Sequence, residues 1–117
     1  MADAASKPAG AASVDNFTND SAMMIAYERA LESKRDDALF RDPLAGALAG
    51  SKGVALSAGF GNYCATFELP GWPEFHTMWT AVRTRFIDNR VSRWALGGEH
   101  RQLVNCGAGM DTMCIAG

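Results

Sequence analysis

Apolar residues fall at helical spacing in two stretches of the chain and at strand-like spacing in a third, shorter one. Met24, Tyr27 and Leu31 stand at i, i+3 and i+7, which predicts a helix over residues 17–34. Glu28, Arg29, Glu32 and Lys34 lie largely off that stripe, and Asp20 or Ser21 can cap its start. A second helix start follows, with Asp42 as candidate N-cap and Pro43 at the first helical position. Gly50 and Gly53 predict that this helix is short. Residues 51–73 read as a loop punctuated by Gly53, Gly59, Gly61, Pro70, Gly71 and Pro73. Within it FGNYCATF can hold a short extended piece, and its aromatics read as a packed connection or, alternatively, a lid. From Pro73 to Leu96 the spacing of Phe75, Trp79, Val82 and Phe86, widened by Ile87 and Val91, predicts one long helix stopped by Gly97-Gly98. The period then changes. Leu103, Val104 and Cys106 form a short, mostly apolar run that ends in Gly107 and suits a buried parallel strand.

Composition narrows what such a chain can do. At 117 residues, 48% of them hydrophobic, it can carry one ordinary domain with its own core. A net charge of −2 implies no general attraction to nucleic acid or to an anionic membrane. The first 16 residues, MADAASKPAGAASVDN, lack the apolar centre of a signal peptide and read as a disordered tail. Cys64, Cys106 and Cys114 are an odd number with no Cys-x-x-Cys pair, so reduced thiols in a cytoplasmic protein are expected rather than a disulfide framework or a metal site. Cys106 and Cys114 read as packing residues. His76 and His100 have no partner at metal or triad spacing and read as structural or exposed.

Candidate chemistry concentrates at Gly107-Ala108-Gly109-Met110-Asp111-Thr112. A strand that ends in Gly-x-Gly lets a ligand approach the backbone closely, because no Cβ intervenes. A helix after such a turn aims free amides and a positive dipole end at the same place. Thr112 departs from the small third residue of a dinucleotide fingerprint, and Gly-Lys-Ser/Thr of a phosphate loop is absent.

VNCGAGMDT closely resembles the first cofactor-binding motif of the leucine carboxyl methyltransferase-like family of S-adenosyl-L-methionine-dependent methyltransferases. AVRTRFIDNRV resembles the Arg-rich helix block before that motif, and ALESKRDDALFRDPLAGALAG resembles the family's N-terminal block. Together these blocks cover most of residues 20–117. The resemblance implies an α/β, Rossmann-like class I parent fold, of which this chain would hold a mostly helical part with the first parallel strand and the glycine turn. Residues 17–96 would be an N-terminal helical cap and 97–117 the start of the Rossmann-like domain.

The resemblance also implies S-adenosyl-L-methionine as cofactor, held by Gly107, Ala108 and Gly109 at the turn and by Asp111, with Asp111 and Thr112 beginning the next helix. For Asp111 and Thr112 a plain helix-cap role stays open. Arg83 matches the arginine that pairs with the cofactor carboxylate, and a guanidinium fork suits a carboxylate. Arg85 is its near competitor on a different helix face. Arg29, Lys34 and Arg35 are all open as a second basic contact. The implied reaction moves the sulfonium methyl to an oxygen or nitrogen acceptor. A small molecule or a protein carboxylate would serve, no side chain is assigned as catalytic, and alignment and exclusion of water do the work. With eight residues after Gly109 and no acidic residue near the expected ribose-binding offset of about 20, an N-terminal fragment inactive by itself is expected. The alternative is a non-enzymatic helical module that docks a partner through its apolar stripes.

Overall fold

The structure, a computed structural model, describes residues 14–113. Three helices account for most of them: α1 Val14–Ser33, α2 Ala45–Thr66 and α3 Trp72–Leu96. Of the expected tail, residues 1–13 lie outside the described residues. Helix α1 starts upstream of both predicted caps. Ser21 sits inside the helix, donating to the Thr18 carbonyl at 3.0 Å, and Asp20 pairs with Lys52 of α2 at 2.6 Å.

The face that α1 buries is not the predicted apolar stripe. Ala26 and Ala30 are buried together with Glu28, Arg29 and Glu32, while Met24, Tyr27 and Leu31 are half-buried. Each buried polar side chain has a partner, which is what makes its desolvation tolerable. Glu28 accepts from Thr80 at 2.6 Å and pairs with His76 Nδ1 at 2.7 Å, tying α1 to α3. Glu32 accepts from the Leu39 amide at 2.7 Å and so pins the chain leaving α1.

Helix α2 corrects the reading of residues 51–73 as loop. Helix continues to Thr66, through FGNYCATF, and only Gly50 departs from helical dihedrals, at φ 57° and ψ −168°. That conformation is essentially confined to glycine and bends the helix at one place. Glycines 53, 59 and 61 each weaken a helix by about 1 kcal/mol relative to alanine. Gly53 repays this in packing, since a Cβ there would stand 2.6 Å from the Met23 carbonyl oxygen of α1. Accordingly α1 packs most extensively against α2. The start signal at Asp42 is used, though one turn early. The helix begins at Ala45, and Asp42 Oδ1 accepts from the Leu44 and Ala45 amides, both at 3.1 Å.

Helix α3 matches its prediction almost to the residue. Gly71 at φ 79° caps its start and Gly97 its end. Its apolar stripe, however, points away from α1 and α2: Phe75, Trp79, Val82 and Phe86 are each about half exposed, and the buried positions are Thr80 and Ala81, whereas Ile87 lies to one side, on the cavity that α1 also lines.

The predicted strand is not formed. Residues 101–105 are irregular, and no strand occurs among the described residues. A strand is defined by the ladder it makes with a neighbour, and nothing described here pairs with this segment.

Candidate functional site at the glycine turn

The glycine turn is held in place from both sides. Gly107 and Gly109 take φ of 65° and 56°, in the left-handed region, and the Asp111 amide closes the turn on the Ala108 carbonyl at 3.0 Å. Inside the segment Asn105 Nδ2 donates to Asp111 Oδ2 at 2.8 Å, and the Met113 amide donates to Asp111 Oδ1 at 3.0 Å. The Arg29 guanidinium donates from Nη2 to the Met110 carbonyl. Thr112 Oγ1 donates to Asp42 Oδ2 at 2.5 Å, the oxygen that also takes Arg29 Nε at 3.0 Å. A Cβ on Gly109 would meet Ala22 Cβ at 3.3 Å, so the turn sits against α1, whereas nothing lies within 4 Å of such an atom on Gly107.

Two adjoining cavities open beside the turn, with volumes of about 290 and 420 Å³. Both are lined by Ile25, Arg29, Arg83, Gly107 and Ala108. Helix α1 lines the smaller one with Thr18, Ser21, Ala22, Ile25 and Arg29, positions that recur every three or four residues on one face. Helix α3 lines the larger one with Arg83, Thr84, Ile87 and Asp88.

Charge is distributed unevenly around this cleft. Burial pushes the Asp42 carboxyl up, but the Thr112 hydroxyl and Arg29 guanidinium outweigh that and hold it below the usual carboxylate range. Burial and the neighbouring Asp111 push the Asp88 carboxyl above its usual value, against the opposing pull of Arg29 and Arg85. Arg85 is committed elsewhere, its Nη1 donating to the Leu39 carbonyl at 2.7 Å. Arg83 makes no hydrogen bond or ion pair among the described residues, so its guanidinium is available to the cleft.

Of the positions singled out from the sequence, Arg83, Gly107, Ala108 and Gly109 converge on the cleft, and Asp111 lines its larger part. Among the three open basic candidates only Arg29 lies there, while Lys34 is exposed and Arg35 is engaged with Asp37 at 3.1 Å. The packing role expected for Cys106 is not seen, because Cys106 is exposed and lines the larger cavity. Cys114 lies outside the described residues. His76 is structural through Glu28, and His100 is exposed.

Sequence reasoning missed Thr18, Ser21, Ala22, Ile25, Thr84 and Asp88. The α1 positions share a helical face, but their mixed polarity hides them from a search for apolar stripes. Among the described residues no group of three or more His, Cys, Asp or Glu side chains is placed to hold a metal ion. No helix there is long and apolar enough to cross a membrane.

Arg83 and the glycine turn thus line one cleft between helices α1 and α3. Comparison with known proteins supplies the class. The family model for leucine carboxyl methyltransferase matches residues 22–115, and the chain belongs to that family. It is 37% identical over 100 residues to a Streptomyces coelicolor protein, covering 78% of this chain and 31% of that one. It is 38% identical over 94 residues to a Frankia alni protein, covering 78% and 31%. It is 35% identical over 91 residues to a Mycobacteroides abscessus protein, covering 78% and 29%. All three relatives are provisionally named S-adenosyl-L-methionine-dependent methyltransferases. The chain thus spans about three tenths of the length of these relatives. No solved structure matches it.

Proposed function

We propose that the chain forms the part of an S-adenosyl-L-methionine-dependent methyltransferase that holds the amino-acid end of the cofactor. The observation that carries this reading is the unengaged Arg83 facing the same cleft as Gly107, Ala108 and Gly109. The residues fit the group. The side of Gly107 away from the protein is clear of atoms where a Cβ would stand, which leaves its backbone open to close approach. Arg83 offers a fork of donors to a carboxylate. When bound, S-adenosyl-L-methionine supplies a methyl group on a positively charged sulfur.

The chain's own residues bind and orient. Arg83 takes the carboxylate. The turn amides and carbonyls stand beside it, held by Arg29 through Met110 and by Thr112 through Asp42. Ile25 and Ile87 provide apolar wall that excludes water from one flank. Asp111 adds negative charge to the larger cavity, and each of its oxygens already takes one N–H bond. The domain partition that goes with this reading makes 17–96 a helical cap and 97–117 the beginning of a Rossmann-like α/β domain. The acceptor is a carboxylate or another oxygen or nitrogen nucleophile, on a small molecule or a protein, in the cytoplasm. The free thiols of Cys64 and Cys106 suit a reducing compartment. The 117-residue polypeptide alone is inactive on this reading, because the described cleft is open and relatives are about threefold longer.

Equilibrium binding of S-adenosylhomocysteine tests the proposal. Arg83→Gln should weaken binding by about tenfold or more, the scale of a charge-assisted hydrogen bond, with an unchanged melting temperature. Equal affinity of wild type and variant would sink the assignment of Arg83.

A second reading, a non-enzymatic helical docking module, draws on the exposed stripe of α3, Phe75, Trp79, Val82 and Phe86. In the methyltransferase reading the same stripe seats against the remainder of a longer protein.

A further inference from the structure

The cleft contains one carboxylate that the proposed carboxylate-binding site leaves unexplained. Asp88 lies five residues beyond Arg83 on α3, about 7.5 Å further along the helix axis. It lines the same cavity as Arg83, Gly107 and Ala108. It is half-buried and makes no hydrogen bond or ion pair among the described residues. Its neighbours do not compensate it. Arg29 is committed to Asp42 and to the Met110 carbonyl, and Arg85 to the Leu39 carbonyl. Asp111, the other acid on the cavity, already accepts one N–H bond on each oxygen and adds like charge beside Asp88. Burial and Asp111 raise the Asp88 carboxyl above its usual value. A cation in the cavity would reverse that penalty.

We infer that Asp88 receives the α-ammonium group of the ligand whose carboxylate Arg83 takes, so that one helix reads both charges of a zwitterionic amino-acid end. The inference rests on the methyltransferase reading of the site. It assigns α3 a specificity role, because an adenosyl thioether without the amino group would bring no cation to offset the partial burial of Asp88.

Three ligands test it by calorimetric titration of the purified protein: S-adenosylhomocysteine, its des-amino analogue and its decarboxylated analogue. Wild type should bind S-adenosylhomocysteine about tenfold or more tightly than the des-amino compound. Asp88→Asn should erase that preference by weakening S-adenosylhomocysteine alone, and Asp88→Glu should restore part of it. Arg83→Gln should instead erase the preference over the decarboxylated compound. Wild type binding the des-amino analogue as tightly as S-adenosylhomocysteine would overturn the role of Asp88, whether or not any variant folds. So would an Asp88→Asn variant, folded by circular dichroism, that weakens both ligands equally or neither. If S-adenosylhomocysteine binds and Arg83→Gln abolishes it while Asp88 proves indifferent, the methyltransferase reading stands and only this inference falls. If wild type binds none of the three, both fall together.

Discussion

Asp42 takes four hydrogen bonds on one carboxylate: Arg29 Nε and Thr112 Oγ1 on Oδ2, and the Leu44 and Ala45 amides on Oδ1. It therefore joins α1, the start of α2 and the glycine turn at one atom group. Removing Arg29 would strand a charge in a site where both partners are almost fully buried, at 7% and 6% side-chain exposure. Arg29→Met is expected to cost about 3–5 kcal/mol, the scale of a broken buried ion pair, read from urea unfolding. A loss under 1 kcal/mol would show that the pair is not buried in solution. The pH dependence has two opposed parts. The folded-state value of Asp42 is lowered, so its contribution is present above its unfolded value near 3.9 and is lost as pH falls through the folded value. The folded-state value of Asp88 is raised, so its ionisation opposes folding, and that cost grows as pH rises from about 4. Melting temperature against pH should therefore rise from acid for wild type. Asp42→Asn should flatten the acid limb, and Asp88→Asn should match wild type below about pH 4 and exceed it at neutrality. That gain would mark Asp88 as kept for binding at the expense of stability.

At the scale of elements, α2 is where local signals and tertiary contacts disagree. Its glycines read as punctuation, but only Gly50 breaks helical geometry. Gly53 is retained because α1 crosses there at backbone contact. Gly53→Ala should destabilise by about 1–3 kcal/mol as an overpacked contact, even though alanine favours helix by about 1 kcal/mol. Gly59→Ala, with nothing within 4 Å of its added Cβ, should instead stabilise slightly. Paired thermal melts check the contrast, and stabilisation at both sites would mean that α1 and α2 do not meet as described. Helix α3 was legible from its 4-3-4 spacing and its flanking Pro and Gly, because those signals are local. The face of α1 was not. Glu28, Arg29 and Glu32 look like solvent-facing residues until His76, Thr80, Asp42 and Leu39 arrive from elsewhere in the chain.

At the scale of the molecule, the arrangement leaves a continuous apolar strip on the outer side of α3, with Trp79 at 52% and Phe86 at 59% exposure. Strips of that kind mark interfaces. The family's longer members supply a reason for one here, since this chain covers 31% of the Streptomyces coelicolor relative. The 117-residue chain is accordingly expected to bind a hydrophobic dye and to self-associate with rising concentration. Substituting Trp79 and Phe86 by Ser should reduce both while leaving the α1–α2 melt unchanged, as followed by sedimentation and circular dichroism. A monomer that binds no dye would place the strip under cover in solution.

By itself the sequence determined the helical character of the chain, the limits of α3, the start signal at Asp42 and the glycine turn at residues 107–109. These follow from spacing, from capping chemistry and from motifs read over a few residues, all of which act locally. Tertiary structure decided which of three basic residues reaches the turn, which face of α1 is buried and that helix resumes after the break at Gly50 and runs on through Gly53, Gly59 and Gly61. It also decided that Asp88 lines the cleft with no hydrogen bond or ion pair among the described residues, and that residues 101–105 make no strand there. The physical reason is common to all of them. Desolvation, close backbone approach and ladder pairing depend on atoms supplied by distant parts of the chain, and local periodicity carries no record of those partners.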